Sequence, residues 1–314
     1  MKKTIIIVLS VLILISLSIG TLVYQKQKPI ALPDYLQPNA GQDLSGVPDE
    51  AETLKEALRP VNTDAISYSL QNDELNITYN NGTDWIKVPI ETNMLFAGEY
   101  QGNKQWLIDD SYILTEERAA FLYAQGSRES TTIQLAYSLD GGKTWQDSVI
   151  TDSFPAMRFR KVGFINEQFG YVIVSGGRTM SQEYSTAFLT HDGGQSWEQT
   201  ADTGNTRLIA DGGFVDESTG FMSYGTINPE QPDFYVTQDG GKSWSKSIVN
   251  IPAKYDQIFV QAETPVIEGN HLTVLVNQGP NGDYEGGKVK GKFISEDNGK
   301  SWEFATEVQV DEVY

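Results

Sequence analysis

Five segments of the chain spell one eight-residue pattern, Ser/Thr-x-Asp-x-Gly-x-Ser/Thr-Trp, and they recur about every 50 residues. Four copies are intact: Ser138 to Trp145, Thr190 to Trp197, Thr237 to Trp244 and Ser295 to Trp302. A worn copy runs from Thr78 to Trp85, with Asn80 in the Asp place and Asp84 where a hydroxyl belongs. Successive Trp positions are separated by 60, 52, 47 and 58 residues, a period in the range of propeller blades. Five of the six tryptophans sit in the pattern.

Each residue type has a job at that spacing. Asn80, Asp140, Asp192, Asp239 and Asp297 carry side-chain oxygens that accept backbone N–H bonds in an Asx-type turn. Gly82, Gly142, Gly194, Gly241 and Gly299 supply the positive φ that reverses the chain. The indoles of Trp85, Trp145, Trp197, Trp244 and Trp302 then fold back between neighbouring sheets. A buried Trp hides roughly 150–250 Å², worth at most about 4–6 kcal/mol. The pattern reads as a structural staple, with no catalytic role.

A second recurrence lies about 30 residues upstream of three of these turns. It reads Phe164-x-Asn166-Glu167-x-x-Gly170-Tyr171, then Phe214-x-Asp216-Glu217-x-x-Gly220-Phe221, with Leu114-x-Glu116-Glu117-x-x-Ala120-Phe121 as a weaker relative. Polar turn residues between apolar runs mark hairpins, which makes four strands per unit.

On these motifs the chain resembles the Asp-box, or bacterial neuraminidase repeat, β-propellers over roughly residues 66 to 314. Sialidases, sortilin-type ectodomains and photosystem-assembly propellers share that superfamily. The resemblance implies an all-β ring with the boxes on the blade periphery and ligands met by loops around a central channel. Five boxes predict five blades, and a sixth without a box fits only in the longer first or last interval. The first unit offers three strands, Ile66 to Leu70, Leu75 to Tyr79 and Trp85 to Ile90. The tail Val308 to Tyr314 is expected to supply the fourth and close the ring.

Sialidase chemistry would require three converging arginines, a Tyr nucleophile paired with Glu, and an Asp acid. The Phe/Tyr-Arg-Ile-Pro segment that usually carries the first arginine is absent. Seven arginines follow the N-terminal segment: Arg59, Arg118, Arg128, Arg158, Arg160, Arg178 and Arg207. Arg59 belongs to a short predicted helix, and Arg118 sits in a turn where a solvated side chain is expected. Arg158, Arg160, Arg178 and Arg207 precede or follow blade-entry strands and are the candidate ligand-binding residues, for a carboxylate or an acidic peptide. The bland alternative makes them ion-pair partners of surplus acids. No residue is assigned a catalytic role, and the reading is a binding or assembly module for a protein or glycan, with a sialidase-like exo-glycosidase as the alternative.

Composition limits the rest. Without cysteine there is no disulfide, thiolate metal site, cysteine nucleophile or lipidated N-terminal Cys. Only His191, in a box turn, and His271, before an apolar strand, are available as histidines, and both read as structural, so no metal or cofactor is expected. The glycine-rich stretch Gln278 to Lys292 lacks calcium-loop spacing and reads as a long flexible hairpin. Residues 29–314 carry 19 bases against all 42 acids, a net −23 that repels nucleic acid and anionic lipid.

Lys2 and Lys3 precede Thr4 to Val23, twenty uncharged and mostly apolar residues. That length spans about 30 Å as a helix, one bilayer core, and the lysines favour a cytoplasmic N-terminus with the body outside. The expectation for residues 1–28 is a membrane anchor, with a cleaved signal and secretion as the alternative. Residues 29–64 read as a stalk with Pro29, Pro33, Pro38 and Pro48, ending in a helix from Asp49 to Arg59 that Pro60 stops. Residues 65–314 form the repeat domain.

Overall fold

The computed structural model describes residues 56–127, 130–280 and 282–309. These belong to one compact unit, Lys55–Tyr314. The anchor expected at residues 1–28 and most of the stalk lie outside the described residues. Among the described residues no helix is long and apolar enough to cross a membrane.

The described chain is all-β, built from five sheets taken in sequence order. The first has three strands, β1 (Ser67–Ser69), β2 (Glu74–Thr78) and β3 (Ile86–Glu91). The second is β4 (Tyr112–Leu114), β5 (Ala119–Gly126), β6 (Thr131–Ser138) and β7 (Gln146–Phe154). The third is β8 (Met157–Phe164), β9 (Gly170–Thr179), β10 (Gln182–Thr190) and β11 (Glu198–Gln199). The fourth is β12 (Ile209–Phe214), β13 (Gly220–Tyr224), β14 (Asp233–Thr237) and β15 (Ser245–Lys246). Each of these is an antiparallel meander, as short polar turns between apolar runs require.

The fifth sheet departs from that plan. Its meander runs β17 (Gln261–Ala262), β19 (His271–Asn277), β20 (Val289–Ser295) and β21 (Ser301–Gln309), with β18 (Val266–Glu268) also on β19. Beyond β21 lies β16 (Ile248–Asn250), which pairs parallel to it with Ile248 opposite Ser301. The chain therefore leaves the fourth sheet at β15 and crosses directly onto the outer edge of the fifth. Of the tail expected to complete the first sheet, the described part, Val308 and Gln309, lies in β21 opposite Lys290 and Val289. Its partner is the adjacent strand, reached by a short turn, and the remaining tail lies outside the described residues.

Burial follows the pleat. Four apolar clusters fill the spaces between successive sheets. Each intact-pattern indole packs into the cluster shared with the preceding sheet. Trp145 meets Phe121 at 6.1 Å between sheets one and two, and Trp197 meets Phe164 at 6.2 Å between two and three. Trp244 meets Phe214 at 6.1 Å between three and four, and Trp302 meets Phe221 at 5.8 Å between four and five. Trp85 belongs to none of these clusters, and among the described residues no sheet precedes the first.

The stalk's described end is not helical. The backbone N–H groups of Glu56 and Arg59 instead donate to Asn72 Oδ1 at 3.1 Å and Gln71 Oε1 at 2.6 Å. Those side chains satisfy donors that a helix would have used, so this segment lies against the first sheet. The glycine-rich stretch is also more tied down than its composition suggests, because buried Gln278 donates to the carbonyls of Tyr284 and Val289 at 2.8 and 2.9 Å.

Candidate functional site

The eight-residue turns divide the molecule into two ends. In a four-stranded meander, turns 1–2 and 3–4 share one end, while loop 2–3 and the connections between sheets share the other. The shared end is closed by bonds between its turns: Gly193 N–H donates to Gln168 O at 2.8 Å, and Gly240 N–H to Ser218 O at 2.9 Å.

Inside each turn the first hydroxyl, which the sequence pattern alone does not explain, links the other parts. Ser138 Oγ donates to Asp140 Oδ1 at 2.8 Å and accepts the Gly142 N–H at 2.9 Å. Asp140 then accepts the Thr144 N–H at 2.9 Å and the Thr144 hydroxyl at 2.7 Å. Asp192, Asp239 and Asp297 repeat these bonds with Ser196, Ser243 and Ser301. The Thr144 bonds, the main-chain one first, hold the Asp140 carboxyl down at about 2. Ser196 and Ser243 do the same for Asp192 and Asp239, each also at about 2. Burial opposes the shift at Asp297, yet the bonds from Ser301 and Ser295 still lower it.

Gly142, Gly194, Gly241 and Gly299 all have positive φ, from 78° to 101°. At Gly299 a Cβ would also fall 2.3 Å from the Phe221 ring, so two constraints exclude a side chain there. The worn turn keeps the geometry by exchanging roles. Gly82 has φ 81°, Asn80 Oδ1 accepts the Asp84 N–H at 2.8 Å, and Asn80 Nδ2 donates to Asp84 Oδ2 at 2.8 Å. Donor and acceptor have changed places, and the bond survives.

At the opposite end the four candidate arginines do not converge. Arg158 forms a bidentate pair with the fully buried Glu183 side chain, both bonds at 2.6 Å, and donates to Ile209 O. Arg160 is buried and donates to the carbonyls of Leu95 and Ala97, in the connection after β3. Burial lowers its pKa to about 10. Arg178 pairs with Glu99 at 3.2 Å, and Arg207 with Asp233 at 3.3 Å, where Lys246 also binds at 3.0 Å. Each guanidinium meets an acid or carbonyl of its own neighbourhood and joins elements of the fold.

Two further cations are more deeply placed than the sequence suggests. Arg118 is buried rather than solvated: it donates to Gly193 O at 2.9 Å and Glu167 O at 3.0 Å, with its guanidinium 3.7 Å from the Phe164 ring centroid. It ties the second sheet to both turns of the third. Burial lowers its pKa. Lys161 on β8 reaches Asp211 at 2.7 Å, Thr264 at 3.2 Å and Asp110 at 3.8 Å, so one ammonium spans four consecutive sheets or their connections. Burial alone would lower its pKa; Asp211 and Asp110 outweigh it and raise it.

A Tyr–Glu pair does exist. Tyr255 and Tyr284 donate to Glu307 Oε1 at 2.5 and 3.0 Å, and Lys254 joins at 3.2 Å. Its cation is a lysine, and none of Arg158, Arg160, Arg178 or Arg207 pairs there. His191 lies against Phe169, with ring centroids 5.2 Å apart, and His271 opens β19.

Successive four-stranded sheets with their turns at one end define a β-propeller. Residues 44–271, well over half of the chain, match the DUF6242 beta propeller domain, and the chain belongs to that family. A search of curated proteins gave no match. Among solved structures, the chain is similar to a GH74 xyloglucanase from Xanthomonas campestris, at 16% identity and TM-score 0.44 over 77% of this chain and 37% of that one. It is also similar to a Trypanosoma rangeli sialidase mutant displaying trans-sialidase activity, at 11% identity and TM-score 0.41 over 82% of this chain and 48% of that one. A putative glycosidase from Bacteroides thetaiotaomicron is similar at 12% identity and TM-score 0.40, over 80% and 82% of the two chains. The chain thus spans less than half the length of the first two. None of these likenesses bears on activity.

Proposed function

We propose that the protein is an exported, membrane-anchored propeller of the cell envelope. In this reading it has five blades stapled by Asp-box turns and acts as a non-catalytic binding or assembly module for a protein or glycan. The observation that carries the non-catalytic part is the fate of the arginines. Arg158, Arg160, Arg178 and Arg207 are each engaged within the fold, and among the described residues the Tyr255–Glu307 pair has no guanidinium bonded to it to receive a substrate carboxylate. The uncharged run Thr4 to Val23 behind Lys2 and Lys3 supports the anchor, and the acidic body supports exclusion of nucleic acid. A rigid scaffold that displays many independent loops at one end suits binding.

Cross-linking in intact cells followed by mass spectrometry tests this reading. The expected result is a specific partner joined to residues of the loop end, opposite the eight-residue turns. Hydrolysis of a sialoside by the purified protein, abolished by Tyr255→Phe, would replace the reading with an exo-glycosidase.

A further inference from the structure

Among the described residues the first sheet has three strands where the second, third and fourth have four. Its eight-residue turn joins β2 to β3, whereas in the second, third and fourth sheets that turn joins the third strand to the fourth. β1 is therefore the counterpart of β5, β9 and β13, and no described strand corresponds to β4, β8 or β12. The strand-free side of β1 takes one main-chain bond from the segment before it, Val61 N–H to Tyr68 O at 3.0 Å.

A cavity of about 540 Å³ opens there, between residues 61–62, β1 and the connection of residues 92–111. That volume lies within the range of small-molecule sites, about 300–1,000 Å³. Its aromatic lining is Tyr68, Tyr100, Trp106 and Tyr112. The walls are set by the fold. The Tyr68 hydroxyl accepts the Leu107 N–H at 3.0 Å, and its ring meets Tyr112 edge-on at 5.5 Å. Tyr100 stacks on Phe96 at 5.7 Å and donates to Asn103 O at 3.2 Å.

Trp106 stands apart from these. It is the one tryptophan outside the repeating turns, it is 50% exposed, and among the described residues it has no ring contact and no hydrogen bond. Around it the polar lining is Asn62, Asn103 and Asp109, all exposed. Asp109 has no hydrogen-bond partner among the described residues.

The chemistry of this lining selects its ligand. A single carboxylate and two amides, on a body of net −23, disfavour an anionic ligand. An indole face carries negative quadrupole and attracts the slightly positive C–H groups of an apolar face, while amides and a carboxylate pair with hydroxyls. A pyranose ring presents both, C–H groups on its face and hydroxyls at its edge. We infer that this cavity is a subsite for a neutral saccharide, with Trp106 as the stacking platform and Asn62, Asn103 and Asp109 as hydroxyl partners. The inference rests on the proposed binding function and supplies its ligand class and place.

The test titrates the full chain with neutral hexasaccharides built from glucose, mannose, galactose and N-acetylglucosamine, reading tryptophan fluorescence and heat. Sialyllactose serves as the charged control. At least one neutral sugar is expected to bind saturably, with sialyllactose silent. Trp106→Ala should weaken that binding tenfold or more, corresponding to about 1.4 kcal/mol, and Trp106→Phe should retain part of it. The melting temperature should change little in either variant, because Trp106 is half exposed and belongs to none of the four apolar clusters. Silence of the whole panel overturns the inference, as does neutral-sugar binding that survives Trp106→Ala. A proline-rich peptide that shields Trp106 from acrylamide while the sugars do not would also overturn it. If the sugars fail and cellular cross-linking still yields a partner at the loop end, the saccharide subsite falls and the binding module stands. If both fail, both fall.

Discussion

Trp302 and Trp85 occupy the same place in two copies of one pattern and meet opposite fates. Trp302 is fully buried between the fourth and fifth sheets, against Phe221 and Phe234, with its indole N–H on Gly299 O at 3.1 Å. Trp85 is half-buried, joins none of the four inter-sheet clusters, and has Gly82 and the Pro60 ring in its vicinity. The turns themselves are equivalent in geometry. What differs is that, among the described residues, a preceding sheet receives the Trp302 indole and none receives that of Trp85, so the last sheet is the anchored end of the described chain.

The largest effect should come from cutting the anchored end. Trp302→Ala is expected to cost about 3–5 kcal/mol in urea denaturation, the range for emptying a buried aromatic site, and Trp85→Ala well under half of that. Equal losses would erase the distinction between the two ends. Next in size is Glu183→Ala, which leaves Arg158 and the Ile209 N–H without their shared acceptor and should cost about 3 kcal/mol. Glu183→Gln should recover part of it by keeping an acceptor for Ile209.

The first turn offers a finer comparison. Asn80→Asp sets two carboxylates against each other and should cost about 1–2 kcal/mol, through the lost Asn80–Asp84 bond and the new repulsion. Adding Asp84→Thr restores the arrangement of the other four turns, so the double variant should recover stability in a mutant cycle. Simple additivity would mean that the two side chains do not act as a unit.

The smallest expected effect is pH dependence. Asp140, Asp192 and Asp239 are held at about 2, below the ordinary carboxyl value near 3.9 in an unfolded chain. Their contribution is therefore fully present above about pH 4 and is lost as pH falls through about 2. Asp192→Asn should flatten that acid limb of the stability profile while leaving the neutral region little changed. An unchanged limb would separate these carboxylates from acid unfolding.

Much of this architecture is legible in one dimension. Turn chemistry is local, so the patterns at Ser138 to Trp145 and its relatives announce hairpins before any contact is known, and the missing strand of the first unit can be counted. The cations behave differently. Arg118 looks solvated because its immediate neighbours are polar, yet Gly193 O lies 75 residues away and holds it buried. Arg158 and Arg160 look like candidate ligand contacts because the acid and carbonyls they bind, at Glu183 and at Leu95, are distant in sequence. Lys161 carries no motif at all. Trp106 is marked only by falling outside the repeat.

The amino-acid order by itself determined the repeat, the reversal of the chain at each glycine and the pairing of strands within a sheet. These depend on φ preferences, short-range hydrogen bonds and apolar alternation, which neighbours along the chain impose. The tertiary structure alone decided which indoles are buried, which charges are paired, and where an aromatic cavity opens beside the first sheet. Those outcomes depend on the low dielectric and close packing that arise only when one sheet covers another, bringing together groups 50 or more residues apart.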